Sequence, residues 1–171
     1  NFDQLHSVLL QNEARAQKPI LFGVTYALLD FAQAYAMPLK HTLVMETGGM
    51  KGRKKELTRK EVHDFLKWQW HLPAIHSEYG MTELLSQAYA KQDGIFEAPA
   101  WMKILWRNED DPFEISDQAG SGALNLIDLA NIYSCAFLAT ADVGKIYGDG
   151  RFEVLGRMDN ADLRGCSLLT A

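Results

Sequence analysis

Short apolar runs alternate with stretches of helical periodicity through the first 77 residues, and the alternation stops near residue 84. Pro19–Gly23, Leu39–Met45 and Pro73–Ser77 are brief apolar segments bounded by Pro, Gly or polar residues, and they read as buried strands. A stretch of helical spacing precedes each of the three. Residues 3–16 place Phe2, Leu5, Val8, Leu9 and Leu10 on one face, and Thr25–Ala36 stops ahead of Pro38. The third opens on Thr58-Arg59-Lys60-Glu61, a capping box, and carries Val62, Phe65, Leu66 and Trp70. Strands alternating with helices imply an α/β fold, a mostly parallel sheet with flanking helices over about residues 1–84. Beyond that point Trp101–Trp106, Ala123–Ile127, Val143–Tyr147 and Arg151–Leu155 read as short strands, and Gly148-Asp149-Gly150 is a hairpin signal. A smaller antiparallel β subdomain is therefore expected over about residues 85–171.

The 171 residues suit one domain with a sizeable core, and 47% hydrophobic with 23% charged residues is ordinary globular composition. A net charge of −5 disfavours a bulk nucleic-acid binder, whose phosphates would repel the chain. No apolar run approaches the roughly 20 residues of a membrane span. The chain opens on Asn-Phe-Asp-Gln with neither an initiator Met nor a basic-then-apolar leader, which reads as a fragment or a processed chain. Two cysteines, Cys135 and Cys166, form no disulfide framework and fit a reducing cytoplasm.

Four short motifs carry chemistry. Tyr79-Gly80-Met81-Thr82-Glu83 follows an expected strand, at the carboxyl end where α/β sheets bind ligands. Tyr79 offers a ring for a purine to stack on, Gly80 lets backbone come close, and Thr82 offers a hydroxyl to a phosphate. Glu83 offers a hard oxygen to Mg²⁺. A surface turn with a buried tyrosine is the plainer alternative. Glu46-Thr47-Gly48-Gly49 also follows a strand, and its paired glycines leave bare backbone for a flat base or make an ordinary flexible turn. Thr140-Ala141-Asp142-Val143-Gly144 places a carboxylate where it can accept ribose hydroxyls, or caps a turn before a strand. Gly156-Arg157-Met158-Asp159 supplies a guanidinium for ribose or phosphate.

In this order, the four motifs resemble those of the acyl-adenylate-forming superfamily of acyl-CoA synthetases, peptide-synthetase adenylation domains and firefly-type luciferases. More narrowly, Met45–Arg53, Ser77–Leu84 and Gly156–Cys166 are similar to the acyl-protein synthetase (LuxE-type) family, along essentially the whole chain and over the C-terminal half of a family member. The resemblance implies the C-terminal part of an adenylate-forming domain that uses ATP and Mg²⁺ to activate a carboxylic acid, in particular a fatty acid. Met81 joins the adenylate-binding residues, Thr82 and Glu83 act catalytically with Glu83 on the metal, and Asp159 marks a hinge. It also implies an acyl thioester on a cysteine near the C-terminus, a place Cys166 matches, and onward transfer to a reductase partner of the LuxC type. Two departures stand out. The Gly/Ser-rich phosphate loop is absent, for Gly120-Ser121-Gly122 is too short and too late, and this absence suggests truncation. Ala141 replaces a glycine of the family motif.

Cys166 is chemically apt, since a thiolate attacks an acyl adenylate and Arg164 favours the thiolate; an inert small residue is the alternative. Cys135, between Ile132 and Phe137, reads as core. The basic run Lys51, Arg53, Lys54, Lys55, Arg59 and Lys60 reads as a solvated face, and the five histidines lack metal-ligand spacing. His76 reads as structural, although it precedes the Tyr79 loop. The competing functional readings are a phenylacetate-type acyl-CoA ligase and a non-catalytic interaction module that keeps a nucleotide-binding fold.

Overall fold

A computed structural model of the chain describes residues 1–49 and 57–158. The chain divides into two compact units, one built on Asn1–Glu78 and one on Tyr79–Ala90 with residues 94–158. Among the described residues no helix is long and apolar enough to cross a membrane.

In the first unit α1 (Phe2–Ala14), β1 (Ile20–Val24), α2 (Thr25–Ala34), β2 (Leu43–Thr47), α3 (Arg59–Trp70) and β3 (His76–Tyr79) alternate as expected. The three strands are parallel with β2 central, Leu21 beside Val44 and Glu46 beside Ser77. Thr58 caps α3 through a complete capping box with Glu61. Leu28, Phe31, Val62, Leu66 and Trp70 from α2 and α3 bury against Leu21 and Val44. One boundary moves: residues 39–42 are loop, and the strand expected from Leu39 begins at Leu43. The Glu13 carboxylate at the end of α1 accepts the N–H groups of Lys40, His41 and Thr42 and the Thr42 hydroxyl, at 2.6–3.2 Å. Backbone donors spent on that carboxylate are withdrawn from the ladder.

The second unit is antiparallel throughout. Its strands are β4 (Ala88–Ala90), β5 (Ile95–Glu97), β6 (Met102–Arg107), β7 (Ile115–Ser116), β8 (Gly120–Asp128), β9 (Phe137–Ile146) and β10 (Phe152–Arg157). They are ordered β4-β5-β10-β9-β8-β6-β7. Tyr147, Gly150 and Arg151 close the hairpin expected at Gly148–Gly150. Phe96, Phe152, Ile146, Leu124, Leu126, Ile104 and Leu84 form its core. The fold is α/β as expected, but parallel pairing is confined to the first three strands.

A buried carboxylate organises the end of β2. Glu46 is 4% exposed and accepts the Thr25 hydroxyl at 2.8 Å. His63 Nε2 lies 3.6 Å and Arg59 Nε 3.7 Å from its other oxygen. Ser77 Oγ lies 3.2 Å from the same His63 nitrogen. Burial pushes the Glu46 carboxyl up, but hydrogen bonds from His63, Ser77 and Thr25 and the Arg59 charge outweigh it, holding the group below the usual carboxylate range. The Thr25 hydroxyl also lies 3.0 Å from the Gly48 carbonyl oxygen, so the network reaches the loop after β2.

Glu46→Gln is expected to cost about 2–3 kcal/mol at neutral pH, because it strands the donors that faced a charge. A folded-state pKa below the unfolded one means that this contribution is present above the unfolded value and vanishes as pH falls through the folded value. Urea unfolding of both proteins from pH 7 to pH 3 checks it: the gap in midpoint should close toward the acid end, and a gap independent of pH contradicts the assignment.

Candidate functional site

The loop after β3 is a tight turn. Leu84 N–H donates to Met81 C=O at 3.1 Å, which makes Thr82 and Glu83 its central pair, and both are exposed. Met81 is half-buried and Leu84 is fully in the core, so the turn stands on two apolar feet. Among the described residues no three His, Cys, Asp or Glu side chains gather to hold a metal. A lone exposed carboxylate beside a hydroxyl nevertheless fits Mg²⁺ arriving on a nucleotide. That ion takes one or two protein carboxylates and fills its shell with phosphate oxygens and water.

Tyr79 sits differently from the sequence expectation. Its ring is 8% exposed and packs on Phe96 and Phe152, with centroids 5.9 and 5.6 Å away. Little of it is left for a base to stack on. The phenol hydroxyl instead donates to Asp142 Oδ2 at 2.8 Å. Burial, the Asp142 charge and this hydrogen bond push the phenol far above its usual pKa, so it stays a proton donor.

Asp142 lies midway along β9 and is held from several sides. Its N–H donates to Thr140 Oγ1 at 3.1 Å, and that hydroxyl donates to the Leu124 carbonyl at 2.8 Å. Arg107 donates to the Thr140 carbonyl at 3.1 Å and to the Asn125 side chain. Two residues on, a Cβ at Gly144 would lie 2.5 Å from the Glu153 carbonyl oxygen, so only glycine lets β9 and β10 pair this closely. A bulge between Val154 and Gly156 then sets Arg157 directly opposite Asp142. Arg157 Nε is 3.9 Å from Asp142 Oδ1, a loose pair between side chains 40% and 18% exposed. Arg157 also lines a surface hollow with Val143, Leu155, Gly156, Met158 and Glu109.

Three residues singled out from motifs far apart in sequence, Tyr79, Asp142 and Arg157, therefore meet in the second unit. Gly80, Met81, Thr82 and Glu83 follow Tyr79 directly. Gly80 is exposed, and a Cβ there would lie 3.1 Å from the Gln87 side chain. Gly48 and Gly49 lie in the first unit, in the loop after β2. Gly48 takes a φ of 70°, which favours glycine, whereas a Cβ at Gly49 would meet nothing within 4 Å. Asp159, Cys166 and the basic run from Lys51 to Lys55 lie outside the described residues. Cys135, expected in the core, is exposed: it sits on the loop before β9, where Asn131 and Ser134 form a turn. The single sequence left unmarked the groups that support the site, namely Arg107, Asp128 and Asn131. Their long-range partners are 18 to 48 residues away, beyond the reach of a local motif.

No protein-family model matches the sequence, and no curated protein matches it. Solved structures do. ATP-bound MatB from Rhodopseudomonas palustris aligns over 92% of this chain and 33% of its own, at 17% identity and a TM-score of 0.62. O-succinylbenzoate Coenzyme A Synthetase (MenE) from Bacillus subtilis, in complex with AMP, aligns over 94% of this chain and 35% of its own, at 16% identity and a TM-score of 0.59. The luciferase-like enzyme from the nonluminescent Zophobas morio mealworm aligns over 90% and 41%, at 16% identity and a TM-score of 0.58. The chain thus spans about a third of the length of the first two, and its fold is one found in proteins that bind ATP or AMP.

Proposed function

We propose that this chain is the adenine-nucleotide-binding part of an ATP-dependent acyl-adenylate-forming ligase of the acyl-protein synthetase type. The observation that carries the reading is the convergence of Tyr79, Asp142 and Arg157. A partly exposed carboxylate, fixed in direction by a phenol that cannot ionise near neutral pH, is suited to accept the two hydroxyls of a ribose. The adjacent guanidinium is suited to the α-phosphate. Arg157 is loosely paired and partly exposed, so turning from Asp142 to a phosphate costs it little. Glu83 would hold Mg²⁺, which when bound supplies positive charge against the phosphates.

In the proposed reaction a carboxylate oxygen of a fatty or other carboxylic acid bonds to the α-phosphorus of ATP. The bond to the pyrophosphate oxygen breaks, and acyl-AMP and pyrophosphate result. Thr82 and the backbone at Gly80 and Met81 would orient the phosphate. The thiolate of Cys166 would then attack the acyl carbonyl carbon, AMP would leave, and the thioester would pass its acyl group to a reductase partner of the LuxC type. The name of the MenE neighbour favours coenzyme A as the competing acceptor.

The chain should bind AMP in titration calorimetry. Asp142→Ala should lower the affinity by about tenfold, since two hydrogen bonds to a charged acceptor are lost. Tyr79→Phe should lower it by about fivefold, the worth of roughly one hydrogen bond that orients the acceptor. Equal affinity in all three proteins would remove Asp142 from the site.

A second expectation concerns transfer, in a polypeptide that carries this chain within a complete adenylating domain. Incubated with ATP and labelled fatty acid, the Cys166→Ser variant should still form acyl-AMP but no hydroxylamine-sensitive adduct, because serine without an adjacent base is a poor nucleophile. Cys135→Ser should alter neither step. Label that maps to Cys135, or that reaches only coenzyme A, rejects the Cys166 assignment.

A further inference from the structure

Thr82 and Glu83 have exposed side chains on a two-residue turn tip, so their direction is set by how firmly the backbone beneath them is held. Two buried side chains from a distant element hold it. Asn131, 6% exposed, donates from Nδ2 to the Glu83 carbonyl at 2.9 Å and to the Cys135 carbonyl at 3.0 Å. Asp128, fully buried, accepts Leu85 N–H at 3.0 Å, Ser86 N–H at 2.9 Å and the Ser86 hydroxyl at 2.7 Å. It also accepts Ala130 N–H at 3.1 Å, as the N-cap of the short 3₁₀ turn Leu129–Asn131 that carries Asn131. One compact turn at the end of β8 thus grips three of the four residues 83–86, namely Glu83, Leu85 and Ser86, and leaves Leu84 to the core.

We propose that Asp128 and Asn131 are positioning residues for the Thr82–Glu83 turn, holding the Glu83 carboxylate where it meets a divalent cation on nucleotide phosphates. The inference rests on the adenylate reading above and extends it. The residue types are specific. Asn131 uses both hydrogens of one amide nitrogen to serve two carbonyls, which neither Asp nor Leu can do. Asp128 is a buried charge, expensive unless its oxygens are filled, and three of its four donors come from the segment that leaves the turn. Neither residue is placed to touch the cation itself, so both act through the backbone. Outer supports of this kind commonly decide how well a ligating carboxylate works.

The test compares the full chain with Asn131→Ala, Asp128→Asn and the core control Ile104→Val. Amide exchange over residues 82–86 is followed by mass spectrometry, and MgATP and metal-free AMP are each titrated by calorimetry. The two clamp variants should exchange faster over 82–86 than wild type. They should lose about ten- to a hundredfold in MgATP affinity and at most about threefold in AMP affinity, and Ile104→Val should preserve the ratio of the two affinities. Exchange at the wild-type rate overturns the clamp. Equal losses for MgATP and AMP overturn the positioning role in favour of plain destabilisation. If Asn131→Ala does not fold, Asn131→Asp, which keeps the shape and replaces the donor with an acceptor, is read in the same way. A wild-type chain that binds neither nucleotide defeats the adenylate reading instead, and with it the positioning role, whatever the exchange rates show of the clamp.

Discussion

The hydrogen bond from Tyr79 to Asp142 ties the residue that opens the second unit to the middle of β9. Without it the partly exposed carboxylate would be free to turn, and Arg157 opposite it would have no fixed counter-charge. Much of the second unit is arranged to make that contact possible. Phe96 and Phe152 grip the tyrosine ring, Thr140 holds the Asp142 backbone, and Gly144 admits the close β9–β10 pairing that brings Arg157 into register. The nucleotide-binding role proposed above rests on one oriented carboxylate and one loosely held guanidinium.

Carboxylates do similar mechanical work elsewhere. Glu13 gathers the N–H groups of residues 40–42, Glu46 ties the start of α2 to the loop after β2, and Asp128 grips the chain beyond Glu83. In each case burial alone would favour the neutral acid, and hydrogen bonds reverse the balance. A carboxylate has about four acceptor sites, so one side chain can satisfy several backbone donors of an irregular segment. Loops that present functional groups need such anchoring, because they lack the ladder that steadies strands.

Features of the sequence with a local cause were legible. The capping box at Thr58 and Glu61 is a four-residue pattern, and it begins α3 where the pattern says. The hairpin at Gly148–Gly150 and the alternation of helices with strands in the first unit also depend on near neighbours. The candidate site was readable because its residues cluster in short motifs. Features set by distant partners were not legible. The start of β2 moved four residues because Glu13 captures the preceding backbone. Strands β4, β5 and β7 are two or three residues long and exist only through pairing. Tyr79 was read as a stacking surface because nothing nearby in sequence reveals Phe96 and Phe152. Cys135 was read as core because its neighbours are apolar, yet Ile132, Tyr133 and Phe137 are themselves exposed.

The central claim is that an adenine nucleotide binds against Asp142 and the loop after Tyr79. Backbone amide spectra of the isotope-labelled chain, recorded during a titration with AMP, test it most directly. The account predicts saturable shifts concentrated at residues 79–83, 140–144 and 156–158. Spectra that do not change, or shifts confined to residues remote from these three segments, would contradict it.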